Sequence, residues 1–166
     1  NIITDFLRKY VPGYEHCTIK TGASTLGIRE SRRFSGKYVM NISDLREARR
    51  FPDVVVHKAQ FVVDIHNPVG GGQANGIAEY VDAYDIPWRS LVPQKMENLI
   101  LAGRCISGTH EAMASYRVMA IAMAIGEAAG IGAALAIDHD VTPENLDVKY
   151  IQKALMDKGA VLFDEK

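Results

Sequence analysis

From Val118 to Ile137 the chain carries a single charge, Glu127, among Ala, Gly, Ile, Met, Val and Leu. A run of that length and apolarity either crosses a bilayer or lies inside a protein. Glu127 in the middle of the run and its high Ala and Gly content weigh against a span. The reading is one long helix, from Ala112 to Ile137, buried on all sides. Gly126, Gly130 and Gly132 each destabilise an isolated helix by roughly 1 kcal/mol relative to Ala, so close packing against a sheet or another helix must benefit from the missing side chains.

Just upstream, Asn98-Leu-Ile-Leu-Ala-Gly-Arg104 reads as a short apolar strand ending in Gly, and Cys105-Ile-Ser-Gly-Thr-His-Glu111 as a polar turn into the helix. Strand, turn and small-residue helix in that order bring backbone close to a bound cofactor, because the first N–H groups of a helix are free and carry about half an elementary charge.

The stretch Asn98 to Met119, with Gly126-Glu-Ala-Ala-Gly-Ile-Gly-Ala-Ala134, resembles the C-terminal closing segment of FAD-dependent oxidoreductases related to fumarate reductase and succinate dehydrogenase flavoproteins. Leu26-Gly-Ile-Arg-Glu-Ser-Arg-Arg33, Asp64-Ile-His-Asn-Pro68 and Ile86-Pro-Trp-Arg-Ser-Leu-Val-Pro93 resemble substrate-domain stretches of the same proteins, in the same order. The resemblance implies an α/β, or mixed α+β, fold. Its parts would be a short-stranded mixed or antiparallel sheet from a substrate domain, residues 1–97, and the strand and buried helix that close an FAD domain, residues 98–166.

The G-x-G-x-x-G turn that holds the ADP half of FAD has no counterpart: Gly70-Gly-Gly72 follows Asn67-Pro68, and its spacing to Gly76 is wrong. The expectation is therefore a C-terminal fragment of a larger flavoprotein. Its first partner would be the N-terminal FAD-binding part of the same protein, and a small-molecule substrate its second. The isolated piece would be inactive and bind FAD weakly or not at all. A bare interdomain face on such a piece would favour homo-oligomers.

A net charge of −1, with acidic and basic residues interspersed, leaves no electrostatic footprint for nucleic acid. No membrane span is expected. Cys17 and Cys105 lie far apart with no CxxC pattern, which fits a reduced, cytoplasmic chain and leaves a single disulfide open.

Along the rest of the chain, Ile3, Phe6, Leu7 and Tyr10 predict a helix over 2–10 that lies on the next element. Cys17–Thr21, Leu26–Glu30 and Phe34–Met40 read as an antiparallel meander. Ser43 is placed to cap a helix from Asp44 to about Arg50. Val54–Val56, Phe61–Ile65, Glu79–Tyr84, Trp88–Val92 and Leu99–Ala102 read as strands, with a mobile glycine-rich loop through Gly76. Thr142 before Pro143 makes a capped turn, and Asp147 caps a last helix ending at Gly159.

Flavin chemistry asks the protein to position the ring, exclude water and stabilise negative charge at N1 and the C2 carbonyl. The resemblance implies that the first helical turn, Ser115 to Met119 with Arg117 and Val118, lies at the ring, and that Gly103 and Arg104 pass beside the ribityl chain. Set against this, Gly103 is equally an ordinary strand-ending turn, and Arg117 an ion-paired surface residue. Arg29 and Arg32 are candidates to clamp a substrate carboxylate through bidentate hydrogen bonds. His66 stands where related enzymes place substrate contacts. His110 and Glu111 can move protons or orient substrate. No metal ligand set is assigned, since Cys105, His110 and Glu111 match no zinc spacing. The catalytic residue itself is not identified. Two other readings stay open: a self-contained α/β ligand-binding or protein-interaction domain, and an enzyme using His110 and Glu111 without flavin.

Overall fold

The computed structural model describes residues 2–25, 27–67, 69–70 and 78–164. Leu26 and residues 71–77 lie outside the described set, and with them the start of the predicted strand at Leu26 and most of the predicted loop through Gly76. In order, the elements are helix α1 (Ile2–Tyr10), helix α2 (Ile42–Arg46), strand β1 (Val54–Ala59), strand β2 (Tyr84–Pro87), and helices α3 (His110–Tyr116), α4 (Met119–Asp138) and α5 (Val148–Asp157). Short 3₁₀ turns fall at Trp88–Ser90 and Gly103–Cys105. This is a mixed α/β architecture with a two-stranded antiparallel sheet.

The continuous apolar run Val54-Val-Val56 makes β1 a strand covered on both faces: all three residues are buried. It pairs with β2 through Val54 opposite Pro87, Val56 opposite Ile86 and Ala59 opposite Tyr84. The register slips between these pairs, and Lys58 takes a left-handed φ of 53° in the last slip. Helices α4 and α5 both pack on β1. Gln152 of α5 ties the layers together, its side-chain amide donating to the carbonyls of Pro52 (2.9 Å) and Val54 (3.1 Å). One apolar core runs through the molecule, from Met40 and Leu45 through Tyr84, Ile86 and Trp88 to Tyr116, Ile125 and Ile151. It takes residues from both sides of the predicted 97/98 boundary.

Helix α5 has the expected Asp147 cap, whose side chain accepts from Lys149 N–H at 3.0 Å, and Gly159 follows it with φ 95°. Helix α1 has the expected bounds but not the expected support: none of its residues is buried. Helix α2 starts earlier than predicted and ends at Arg46, because Asn41 rather than Ser43 is its cap. The Asn41 side chain accepts from Ser43 and Asp44 N–H while Asp44 returns a bond to Asn41 N–H, forming a capping box.

Among the described residues the predicted meander does not form. Residues 34–40 instead send N–H groups to distant turns and loops: Phe34 to Cys105 O, Lys37 to Val92 O, Tyr38 to Arg89 O and Met40 to Ser107 O, at 2.8–3.2 Å. Of Phe61–Ile65, Val63 makes an isolated bridge to Glu79. The Glu79–Tyr84 and Trp88–Val92 strand pair resolves into β2 and a 3₁₀ turn, and Leu99–Ala102 is not a strand, although Leu101 N–H donates to Leu91 O at 2.7 Å.

The largest departure lies in the long helix, which is two helices. Arg117 ends α3 with helical dihedrals, Val118 is extended at ψ 154°, and α4 begins afresh at Met119. Nor is α4 buried all round. One face, Ile121, Ile125, Ala128, Gly132 and Ala136, meets the sheet, while Met119 (83%), Met123 (74%) and Ile137 (80%) stand in solvent. The helix has the length and apolarity of a membrane span, with one third of its residues buried. Apolar composition signalled a helix that avoids water, and this chain supplies cover for one side of it.

Candidate functional site

The break before Met119 creates the site. Val118 has no side chain able to cap α4, whose first hydrogen bond runs from Ala122 N–H to Val118 O at 2.9 Å. The N–H groups of Met119, Ala120 and Ile121 therefore have no partner within the helix and present its positive end. Helices α2, α3 and α5, by contrast, are closed by Asn41, Thr109 and Asp147.

At that end lies a cleft of about 330 Å³ lined by Arg29, Phe61, Asp64, Arg104, Arg117, Val118 and Met119. Arg117 is largely buried and is held by residue 64: its Nη2 donates to the backbone carbonyl of Asp64 at 2.6 Å and to the carboxylate at 3.3 Å. His66 Nε2 is 3.0 Å from the same carboxylate and also contacts Arg29 Nη1. A second cleft of about 360 Å³ shares Arg29 and Arg104 and adds Ile28, Glu30, Ser31, Arg32, Ala102 and Cys105. Four arginines thus border two adjoining hollows, an environment suited to carboxylate or phosphate oxygens.

Of the residues expected at a cofactor, Arg104, Arg117, Val118 and Met119 share the first cleft. Gly103 precedes Arg104 in sequence with φ 70°, and a Cβ there would meet nothing within 4 Å, so its backbone is open to close approach. Ser115 is placed elsewhere. It is fully buried, accepts from Tyr84 Oη at 2.8 Å and donates to Phe61 O at 2.6 Å, which fixes the wall of the cleft from behind. Burial pushes the Tyr84 hydroxyl up to about 12 and raises that of Tyr116 as well.

Among the substrate candidates, Arg29 and Arg32 line the second cleft and His66 adjoins the first through Arg29 and Asp64. His110 and Glu111 are outside both. His110 Nδ1 pairs with Glu30 Oε1 at 2.7 Å, and Glu30 also binds Arg33. Glu111 sits in the first turn of α3, where its own N–H and the Thr109 hydroxyl hold its carboxyl below the usual range. The two adjacent side chains therefore serve different neighbours. Cys17 and Cys105 are both free thiols, and among the described residues no group of three or more His, Cys, Asp or Glu is placed to hold a metal.

Asp64 and Phe61 are the site residues that sequence reasoning passed over. A signal for Asp64 was present: two residues before His66 on an extended segment, it shares His66's face.

A family model for FAD dependent oxidoreductases matches residues 2–155, and the chain belongs to that family. Comparison with curated proteins found no match, and comparison with solved structures found none. FAD is the cofactor of the family, and the residues at the start of α4 fit it: an uncapped helix end and an anchored guanidinium border one cleft.

Proposed function

We propose that this chain is the C-terminal half of a fumarate reductase and succinate dehydrogenase-like FAD oxidoreductase, whose complete form moves a hydride between a small substrate and flavin N5. The observation that carries this is the uncapped start of α4 opening onto a cleft beside Arg117. The flavin, when bound, supplies the two-electron chemistry. The chain's own residues set its surroundings. The α4 N–H groups and Arg117 stabilise negative charge, Phe61 and Met119 exclude water, and Gly103 with Arg104 lets the cofactor's chain pass close to backbone. Arg29, Arg32 and Arg104 orient an anionic substrate in the adjoining hollow, with His66 at its edge.

The rest of the FAD contacts, and the cover for Met119, Met123 and Ile137, would come from an N-terminal part of the same protein rather than from lipid. A second copy of the chain is the other way to cover that face. The isolated chain is then inactive and holds FAD weakly.

The test is the intact mass and visible spectrum of the product of the complete gene, beside those of this chain alone. A longer polypeptide with stoichiometric flavin, and a colourless 166-residue chain, is the expected result. A complete product no longer than this chain and without flavin would replace the proposal with a self-contained binding domain.

A further inference from the structure

Two guanidinium groups of the cleft and the adjoining His66 imidazole converge on one carboxylate. Asp64 Oδ2 is 3.3 Å from Arg117 Nη2, 3.0 Å from His66 Nε2 and 3.9 Å from Arg29 Nη1. The segment carrying Asp64 is itself anchored. Ser115 Oγ donates to Phe61 O at 2.6 Å, Tyr84 holds Ser115 from the core, and Val63 N–H donates to Glu79 O at 2.8 Å. The carboxylate is therefore delivered to the cleft on a fixed backbone, while the basic side chains around it are long and rich in rotamers.

We propose that Asp64 is the positioning residue of this site: it locks the Arg117 guanidinium against the start of α4, so that the cleft presents a charge of fixed location to a flavin. The inference rests on the flavin reading above and adds a residue to it. Arg117 sits at the α3–α4 break, and its two bonds to residue 64 are the side-chain tether at that break. One bond goes to the backbone and survives any substitution of Asp64; the other goes to the carboxylate and supplies the charge match. Without the carboxylate the guanidinium has a single anchor and rotates about it. His66 then loses its anionic neighbour as well, which leaves Arg29 and His66 to each other.

Two measurements separate this from a merely structural role. In the flavin-free chain, side-chain nitrogen NMR reports rotation of the Arg117 guanidinium. Separate, slowly exchanging Nη signals are expected in the wild type and averaged ones in Asp64→Ala and Asp64→Asn. In the complete protein, FAD affinity is measured for Asp64→Ala, Arg117→Ala and the double variant. Each single change is expected to weaken binding about tenfold, the scale of one charged hydrogen bond, and the double variant is expected to be no weaker than Arg117→Ala alone. Unchanged Arg117 signals in both Asp64 variants would overturn the proposal, and so would fully additive losses. Asp64→Asn keeps the side-chain shape, so averaging in that variant supports the proposal even where Asp64→Ala fails to fold. If the complete protein binds no FAD, the flavin reading fails and the NMR result still decides the tether.

Discussion

The Cη2 end of the Trp88 indole is set against the α-carbon of Gly132: a Cβ built at Gly132 would fall 2.3 Å from Cη2 and 2.9 Å from Cζ3. Trp88 is buried and its Nε1 donates to Pro143 O at 3.4 Å, so the ring has little room to retreat. Gly126 and Gly130, on the same helix, would meet nothing within 4 Å. One substitution therefore has opposite signs along one helix. Gly132→Ala should destabilise the chain by about 1–3 kcal/mol through overpacking, in spite of alanine's better helix propensity. Gly126→Ala or Gly130→Ala should stabilise it by up to about 1 kcal/mol. Urea unfolding of the three variants measures all of this.

Tyr84 gives a pH signature. Its hydroxyl is raised by burial from 10.0 to about 12, the Ser115 hydrogen bond opposing the shift. A group raised on folding contributes stability that is complete below its unfolded value and is lost as pH climbs through the folded one. Between about pH 10 and 12 the wild type should lose roughly 2–3 kcal/mol that Tyr84→Phe does not lose, with no divergence between them below pH 9. Chemical denaturation of both proteins across that window provides the comparison.

Asp85, buried beside β1, accepts from His57 Nδ1 (2.8 Å), Arg50 Nη1 (3.1 Å) and the backbone N–H groups of Lys58 (3.3 Å) and Phe51 (3.4 Å). Asp85→Ala takes this acceptor from His57 Nδ1 and the two backbone N–H groups, while Arg50 Nη1 keeps its bond to Ala83 O at 2.9 Å, and should cost about 3 kcal/mol or more. A thermal midpoint within a degree or two of wild type would contradict it.

Helix α1 should be dispensable to the fold. It buries no residue, and among the described residues its side-chain bond to the next segment is Arg8 Nε to Cys17 O at 2.9 Å. Deleting residues 1–14 should change unfolding free energy by no more than about 0.5 kcal/mol.

What the sequence discloses is the local part of the design. The bounds of α1 and α5 follow from apolar spacing and from Asp147, and the strand at Val54 from its unbroken β-branched run. The break at Arg117 and Val118 has no local signal, since neither Gly nor Pro stands there; the side-chain bonds of Arg117 at the break go to Asp64, far away in sequence. Alternation read residues 34–40 as a strand, and the segment instead bends at Lys37 and Tyr38 and bonds to segments between 89 and 107, which no nearby residue specifies. The arginines were legible as candidates by residue type. That Arg29, Arg104 and Arg117 meet at one helix end, and that Ser115 turns inward, depends on packing.

The bare side of α4 gives the molecule its own footprinting reagent. Met119 and Met123 are thioethers open to oxidant, whereas Met40 and Met113 are sealed in the core. Mild peroxide followed by peptide mass spectrometry should mark the first two wherever this face is uncovered and spare them wherever it is occupied. Met96 and Met156, exposed elsewhere, record the oxidant dose in either state.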